Sequence, residues 1–283
     1  MQKTLSVINH DRDSVALCYV YPVISRRAGG VSVGINLNPN NACNWGCIYC
    51  QVPNLIRGAA PVIDMTLLEV ELRTFLIELL QGDFMHRRVP EDARRINDIA
   101  LSGNGEPTSA AEFSLVVALI ARVRSELAVP ESVKTVLITN GSLLHRADVQ
   151  LGLRDLAQIN GVVWFKLDRA SVAGMLRIND THARIDKVRE NLIAASALCP
   201  TWLQTCWFAL DNEPPSRQDE EDYLDFVGGL LREGHVLQGV LLYGLARPSM
   251  QVEASRLSAL SVVQLQAYAD RIAKLGLPVK VSV

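Results

Sequence analysis

The stretch Val31-Ser32-Val33-Gly34-Ile35-Asn36-Leu37 runs through Asn38-Pro39-Asn40-Asn41 into Ala42-Cys43-Asn44-Trp45-Gly46-Cys47-Ile48-Tyr49-Cys50-Gln51. The first part is β-branched and apolar, which predicts a buried strand. The second is a polar loop rich in Asn, with three cysteines spaced C-x3-C-x2-C. Such a loop supplies three soft thiolate ligands and no fourth. A metal centre held this way keeps one position for a ligand that is not protein, as reactive centres do. A closed structural zinc site needs four protein ligands. The histidines, His10, His86, His145, His182 and His235, all lie far from the loop in sequence. Zinc with a distant histidine or a water therefore stays open. Thiolate-only ligation at tight spacing favours an iron–sulfur cluster.

Outward from this loop, short β-branched runs alternate with helical patterns. Strands are expected over 31–37, 98–102, 134–139, 161–167, 202–208, 238–243 and 278–283. Thr66-Leu67-Leu68-Glu69, Ser109-Ala110-Ala111-Glu112 and Ser261-Val262-Val263-Gln264 have the capping-box spacing and predict helix starts, the second and third leading into 113–127 and 265–275. Further helices fit 144–159, 182–198 and 220–233. Strand–helix alternation implies parallel strands with right-handed crossovers. The expected fold is α/β, a single domain built as a partial (βα)6 TIM-type barrel over residues 31–283, with 1–30 as an N-terminal extension packed on it. A doubly wound open sheet is the competing topology.

In a βα barrel the chemistry sits at the C-terminal ends of the strands. Each polar motif falls there. The cysteine loop follows the first strand, Ser102-Gly103-Asn104-Gly105-Glu106-Pro107-Thr108 the second and Thr139-Asn140-Gly141-Ser142 the third. Lys166-Leu167-Asp168-Arg169 ends the fourth, and Arg247-Pro248-Ser249 follows the sixth.

Composition bounds the rest. The chain has 283 residues, a formal net charge of −2 and 49% hydrophobic residues, enough for a large core and too near neutral for a global basic field. The arginine pairs Arg26-Arg27, Arg87-Arg88 and Arg94-Arg95 read as solvated surface, with an anion or RNA contact open for the first pair beside the cysteine loop. No stretch is long and apolar enough for a bilayer, and residues 1–13 are polar rather than signal-like. The expected location is cytoplasmic, where thiols stay reduced and clustered cysteines bind metal. Cys18, Cys199 and Cys206 are expected to be small buried hydrophobes.

Cys43, Cys47, Tyr49 and Cys50, an aromatic preceding the last cysteine, resemble the radical S-adenosylmethionine (SAM) superfamily. That resemblance implies a [4Fe-4S] cluster with SAM on its open iron, and reductive cleavage of SAM to a 5′-deoxyadenosyl radical that takes hydrogen from a substrate. Gly103, Gly105 and Glu106 are similar to the superfamily's Gly-Gly-Glu-Pro element, with the glycines admitting the methionine end of SAM and Glu106 accepting from its ammonium. Asn140, Lys166, Asp168, Asn179 and Arg247 are further candidate SAM contacts. Gln204 is an inward candidate, and Arg177 and Asn179 are placed in a loop before a helix. Segments 51–63 and 169–180 are candidate lids.

Tyr21-Pro22-Val23-Ile24-Ser25-Arg26-Arg27, Gly34-Ile35-Asn36 and the later motifs, through 242–248, resemble the Fe–S oxidoreductase branch related to wyosine-forming tRNA enzymes. Those enzymes carry a second cluster on additional upstream cysteines; here only Cys18 lies upstream, so a single cluster is expected. The expected partners are a flavodoxin- or ferredoxin-type reductant and a small-molecule substrate rather than RNA. Alternatives are tRNA modification, transfer of an aminocarboxypropyl group from SAM, and a non-catalytic electron-transfer or sensor protein.

Overall fold

The computed structural model describes Leu5, residues 17–24 and residues 29–282. Arg26, Arg27 and Val283 lie outside the described residues. Eight strands form one sheet: β1 (Val20–Ile24), β2 (Val31–Ile35), β3 (Ile96–Leu101), β4 (Lys134–Thr139), β5 (Gly161–Lys166), β6 (Thr201–Cys206), β7 (Gly239–Tyr243) and β8 (Val279–Ser282). Their spatial order follows the chain. β1 is antiparallel to β2, with Pro22 opposite Val33, and every later pair is parallel. A doubly wound sheet reverses its strand order at a switch point. This one does not, so it curls in one sense as a barrel does. Among the described residues β1 and β8 do not pair, which leaves the barrel partial.

The crossovers carry α1 (Met65–Leu80) with the short α2 (Phe84–Arg88), then α3 (Phe113–Glu126), α4 (Ala147–Ala157), α5 (Val172–Asn179) with α6 (Ile185–Leu198), α7 (Arg217–Arg232) and α8 (Val262–Ala273). Helices outside and side chains within the curl cover both faces of the sheet, which is why its strands are nearly continuous apolar runs. On β2, Val31, Val33 and Ile35 join Leu68, Leu72 and Leu76 of α1 in the main core. The alternate residue Ser32 faces the inside of the curl.

Helix starts divide by what the capping group touches. Ser261 and Gln264 form the expected reciprocal capping box. α1 is instead capped by Asp64, which accepts from the Leu67 amide at 2.9 Å, and Thr66 lies inside the helix. Ser109 caps nothing: its hydroxyl donates to the Glu106 carbonyl at 2.6 Å and accepts from the Ala60 amide at 2.9 Å, so α3 begins later, at Phe113. Its tertiary partners outcompete the helix. Ser216 and Asp219 form a capping box at the start of α7. Much of the expected lid at 169–180 is α5, opened by Ser171, and Arg177 and Asn179 lie on that helix rather than in a loop. No helix among the described residues is long and apolar enough to cross a membrane.

Candidate functional site

The C-terminal ends of the strands border one cavity of about 340 Å³. Cys43, Cys47 and Cys50 stand on its wall, together with Tyr49, Gly103, Gly105, Glu106, Asn140, Lys166 and Arg247. The fold therefore brings together residues spread over five chain segments.

The cysteine loop is held from three sides. The end of α5 takes two of its amides, Gly46 on the Asn179 carbonyl at 3.1 Å and Ile48 on the Ile178 carbonyl at 3.0 Å. The segment after β7 takes its carbonyls: Ser249 Oγ donates to Ile48 at 2.8 Å, and Gln251 Nε2 donates to Cys50 at 3.1 Å and Val52 at 2.9 Å. Arg57 donates to the Asn44 carbonyl at 2.7 Å and pairs with Asp180.

The glycine-containing loop after β3 approaches just as closely. A Cβ on Gly105 would lie 2.0 Å from the Ala42 carbonyl oxygen, and one on Gly103, where φ is +145°, would lie 2.4 Å from Asn36 Oδ1. Both glycines therefore serve the fit between this loop and the strand and loop that precede the cysteines.

Glu106 is 2% exposed, and its oxygens take four hydrogen bonds: from Thr108 N at 3.1 Å, Thr108 Oγ1 at 2.6 Å, Thr139 Oγ1 at 2.6 Å and Asn140 N at 2.7 Å. It thereby ties the loop after β3 to the end of β4. Burial pushes its carboxyl up, against the opposing pull of those donors. Asn140 carries the tie on to the cysteine loop, donating to Asn44 Oδ1 at 2.8 Å.

Strand alternation placed Lys166 and Asp168 on one side, but β5 ends at Lys166 and the alternation stops there. Lys166 lines the cavity, donates to the Tyr243 hydroxyl at 3.0 Å and lies 4.9 Å from the centre of the Tyr49 ring. Burial works against its charge, but Tyr243, Asp168 and Cys47 around it prevail and hold its pKa well above the ordinary value. Asp168 stands behind the cavity wall, 2% exposed. It accepts from Tyr49 Oη, from Asn179 Nδ2 at 2.7 Å and from the Cys206 amide at 2.7 Å. Asn179, also behind the wall, donates to Cys47 Sγ at 3.2 Å. Arg247 donates to Gln51 Oε1 at 3.1 Å. Arg177 pairs with Asp219 at 2.8 Å and is not on the cavity wall.

Several wall residues escaped the sequence reasoning. Tyr243 closes β7 inside the 242–248 motif, but no role was expected of its ring. Asp98, a charge inside an apolar strand, is 3% exposed and accepts from Ser32 Oγ deep in the curl; that misplaced charge was the available signal. Cys206 is buried as expected but also lines the cavity, whereas Gln204 lines it as the inward candidate it was expected to be. Cys199 is buried, whereas Cys18 is exposed, contrary to expectation, because it lies just before β1 begins.

The three loop thiols on one cavity wall are the soft donor set that an iron–sulfur cluster takes. A four-iron cluster binds each cysteine to a separate iron, so its sulfurs do not share one centre. Burial pushes the Cys43 thiol up to about 11 and the Cys47 thiol up to about 12, so loading the site releases protons.

No protein-family model matches the chain. A UPF0026 protein of Helicobacter pylori is 29% identical over 179 residues, covering 62% of this chain and 51% of the relative. The chain thus spans about half the length of that curated relative. A TYW1 structure with a lysine-pyruvate adduct bound superposes with a TM-score of 0.55 at 14% identity, covering 88% of this chain and 74% of the other. A radical SAM methyltransferase from Sphaerobacter thermophilus gives 0.55 at 15% identity, covering 89% and 66%. Likeness at these identities speaks to architecture: the chain shares the fold of these two structures, which is the architecture that the resemblance of the cysteine loop implied.

Proposed function

We propose that the protein is a radical SAM enzyme with one [4Fe-4S] cluster on Cys43, Cys47 and Cys50, acting on a small molecule held within the barrel. The observation that carries this reading is the convergence of three cysteines, a buried lysine and the Gly105–Glu106 loop on one cavity. Bound there, the cluster supplies the electron that cleaves SAM reductively to a 5′-deoxyadenosyl radical.

The chain's own residues bind, orient and exclude water. The Lys166 ammonium is a cation for the SAM carboxylate, already directed by Tyr243. Arg247 offers a second cation at the mouth. Asn140 and the Gly103–Glu106 loop border the amino-acid end, with Glu106 fixing the loop's shape through its four hydrogen bonds. Asp168 acts from behind by anchoring Tyr49 of the cysteine loop and holding Asn179 against that loop. Deeper in the curl, Trp164, Gln204 and Ser32 leave a partly polar lumen for a substrate that carries its own hydrogen-bonding groups. The reductant is of flavodoxin or ferredoxin type, and the setting is cytoplasmic.

Anaerobic reconstitution tests this. The expected result is about four irons per chain, an EPR signal that changes on adding SAM, and 5′-deoxyadenosine under reducing conditions. Methylthioadenosine instead would assign aminocarboxypropyl transfer. Zinc alone, with no SAM cleavage, would overturn the proposal.

A further inference from the structure

Asn179 occupies a position that the SAM site does not explain. It is 1% exposed, sits at the last residue of α5, and is not on the cavity wall. Its side-chain amide faces two acceptors, Asp168 Oδ2 at 2.7 Å and Cys47 Sγ at 3.2 Å. A carboxylate only accepts, so Asp168 compels the –NH2 end of the amide to face inward. One N–H then goes to the carboxylate and the other is aimed at the sulfur. Asp168 is itself fixed by the Tyr49 hydroxyl and the Cys206 amide. The neighbouring backbone adds rigidity, since the Asn179 carbonyl accepts from the Gly46 amide at 3.1 Å. The backbone that carries the donor is thus fixed to the cysteine loop, and the side chain cannot swing away without giving up its bond to Asp168.

We propose that Asn179 is a positioning residue that tunes the cluster's reduction potential by donating a hydrogen bond to Cys47 Sγ, with Asp168 fixing its orientation. The inference rests on the cluster assignment above. Reduction by one electron, delivered by a flavodoxin- or ferredoxin-type donor, adds negative charge to the cluster and its sulfurs. A fixed N–H dipole directed at one of those sulfurs stabilises the reduced form more than the oxidised form, which raises the potential. Of the three cysteines, Cys47 is the one whose sulfur meets a side-chain N–H among the described residues. The effect is thus local to one corner of the site.

The test is an EPR-monitored redox titration of the reconstituted protein without SAM or substrate, with dithionite as reductant. Asn179→Leu keeps the branched shape and removes the donor. The expected change is a roughly tenfold smaller ratio of reduced to oxidised cluster at a fixed poise, which is about 59 mV in the midpoint of a one-electron couple. Asn179→Asp, whose carboxyl would share one proton with the Asp168 carboxylate and offer no N–H to the sulfur, also lowers the midpoint. Arg177→Gln, on the same helix but paired with Asp219, leaves it unmoved. A merely structural role would change iron content or stability without this shift. Should the leucine variant fail to retain iron, wild-type protein labelled with amide-15N asparagine gives a second readout. A 15N coupling to the reduced cluster in the pulsed EPR spectrum supports the bond, and no coupling overturns it. Equal midpoints in wild type and Asn179→Leu, both carrying an intact cluster, sink this inference and leave the enzyme assignment standing. Failure of wild type to assemble any cluster sinks the assignment itself.

Discussion

Replacing Gly105 with alanine is the sharpest probe of how the site is built. The added Cβ would lie 2.0 Å from the Ala42 carbonyl oxygen and 2.7 Å from the Asn38 amide carbon and nitrogen. Non-bonded heavy atoms settle at about 3.5 Å, so the loop after β3 and the segment before Cys43 must part by roughly 1.5 Å. That separation pulls on the Asn104 amide bond to Asn36 Oδ1 at 3.0 Å, on Asn104 Nδ2 to Asn41 Oδ1 at 2.6 Å, and on Asn38 Nδ2 to Ser109 Oγ at 3.3 Å. Overpacking of this kind costs about 2 kcal/mol. Losing two of the bonds adds about 2 kcal/mol more. A total near 4 kcal/mol lowers the melting temperature of a domain this large by about 8 °C. Cys43 follows Ala42 directly, and metal–ligand distances tolerate only about 0.2 Å, so retained iron falls as well. Gly229→Ala supplies the contrast. Gly229 is inside α7 with its nearest neighbour, Arg232 Nη2, 4.0 Å from the new Cβ, so alanine stabilises by about 0.5–1 kcal/mol. The assay is thermal unfolding of the metal-free chain, followed by iron analysis after reconstitution. Were Gly105→Ala to melt within about 1 °C of wild type and hold its iron, Gly105 would not be required by close approach of the two loops.

Two further substitutions test the supports behind the cavity wall. Asp168→Ala leaves the Tyr49 hydroxyl, the Asn179 amide and the Cys206 N–H without their acceptor, and is expected to destabilise the metal-free chain by about 3–5 kcal/mol in urea unfolding; a loss below about 0.5 kcal/mol would show that Asp168 does not organise the site. Asp219 is a pH test: burial alone would raise its carboxyl, but the Ser216 donors and the Arg169 and Arg177 guanidiniums hold it below the usual carboxylate range. Its folded pKa lies under the unfolded value of about 3.9, so its stabilisation is complete above that pH and is lost as pH falls through the folded pKa. The urea midpoint of wild type should therefore exceed that of Asp219→Asn at neutral pH and converge with it in acid. A gap that stays constant down to about pH 3 would contradict the assignment.

The strand–helix alternation was legible because the parallel strands are buried on both faces and read as short apolar runs, and the seven expected runs match β2 through β8. Local signals failed where a polar side chain had a better partner far away in sequence. Ser109 has the spacing of a helix cap, yet the Ala60 amide and the Asn38 side chain claim it. Residues 169–180 looked like a lid, yet most of them form a helix whose end grips the cysteine loop. Lys166 and Asp168 share strand parity, but parity lapses where the strand stops.

The sequence by itself determined the ligand chemistry, because C-x3-C-x2-C places three thiolates in one loop whatever surrounds it. It also determined the rim on which the motifs gather, because each follows a strand of the same direction. Only the tertiary structure decided between a curled and a doubly wound sheet, since strand order depends on long-range pairing that no local pattern encodes. It alone also sorted the polar residues into two ranks. Lys166, Glu106 and Asn140 are on the cavity wall, while Asp168 and Asn179 stand behind it as hydrogen-bond partners of Tyr49 and Cys47. The physical reason is that a buried polar group must find a partner, and which partner it finds is fixed by packing across the fold rather than by its neighbours in the chain.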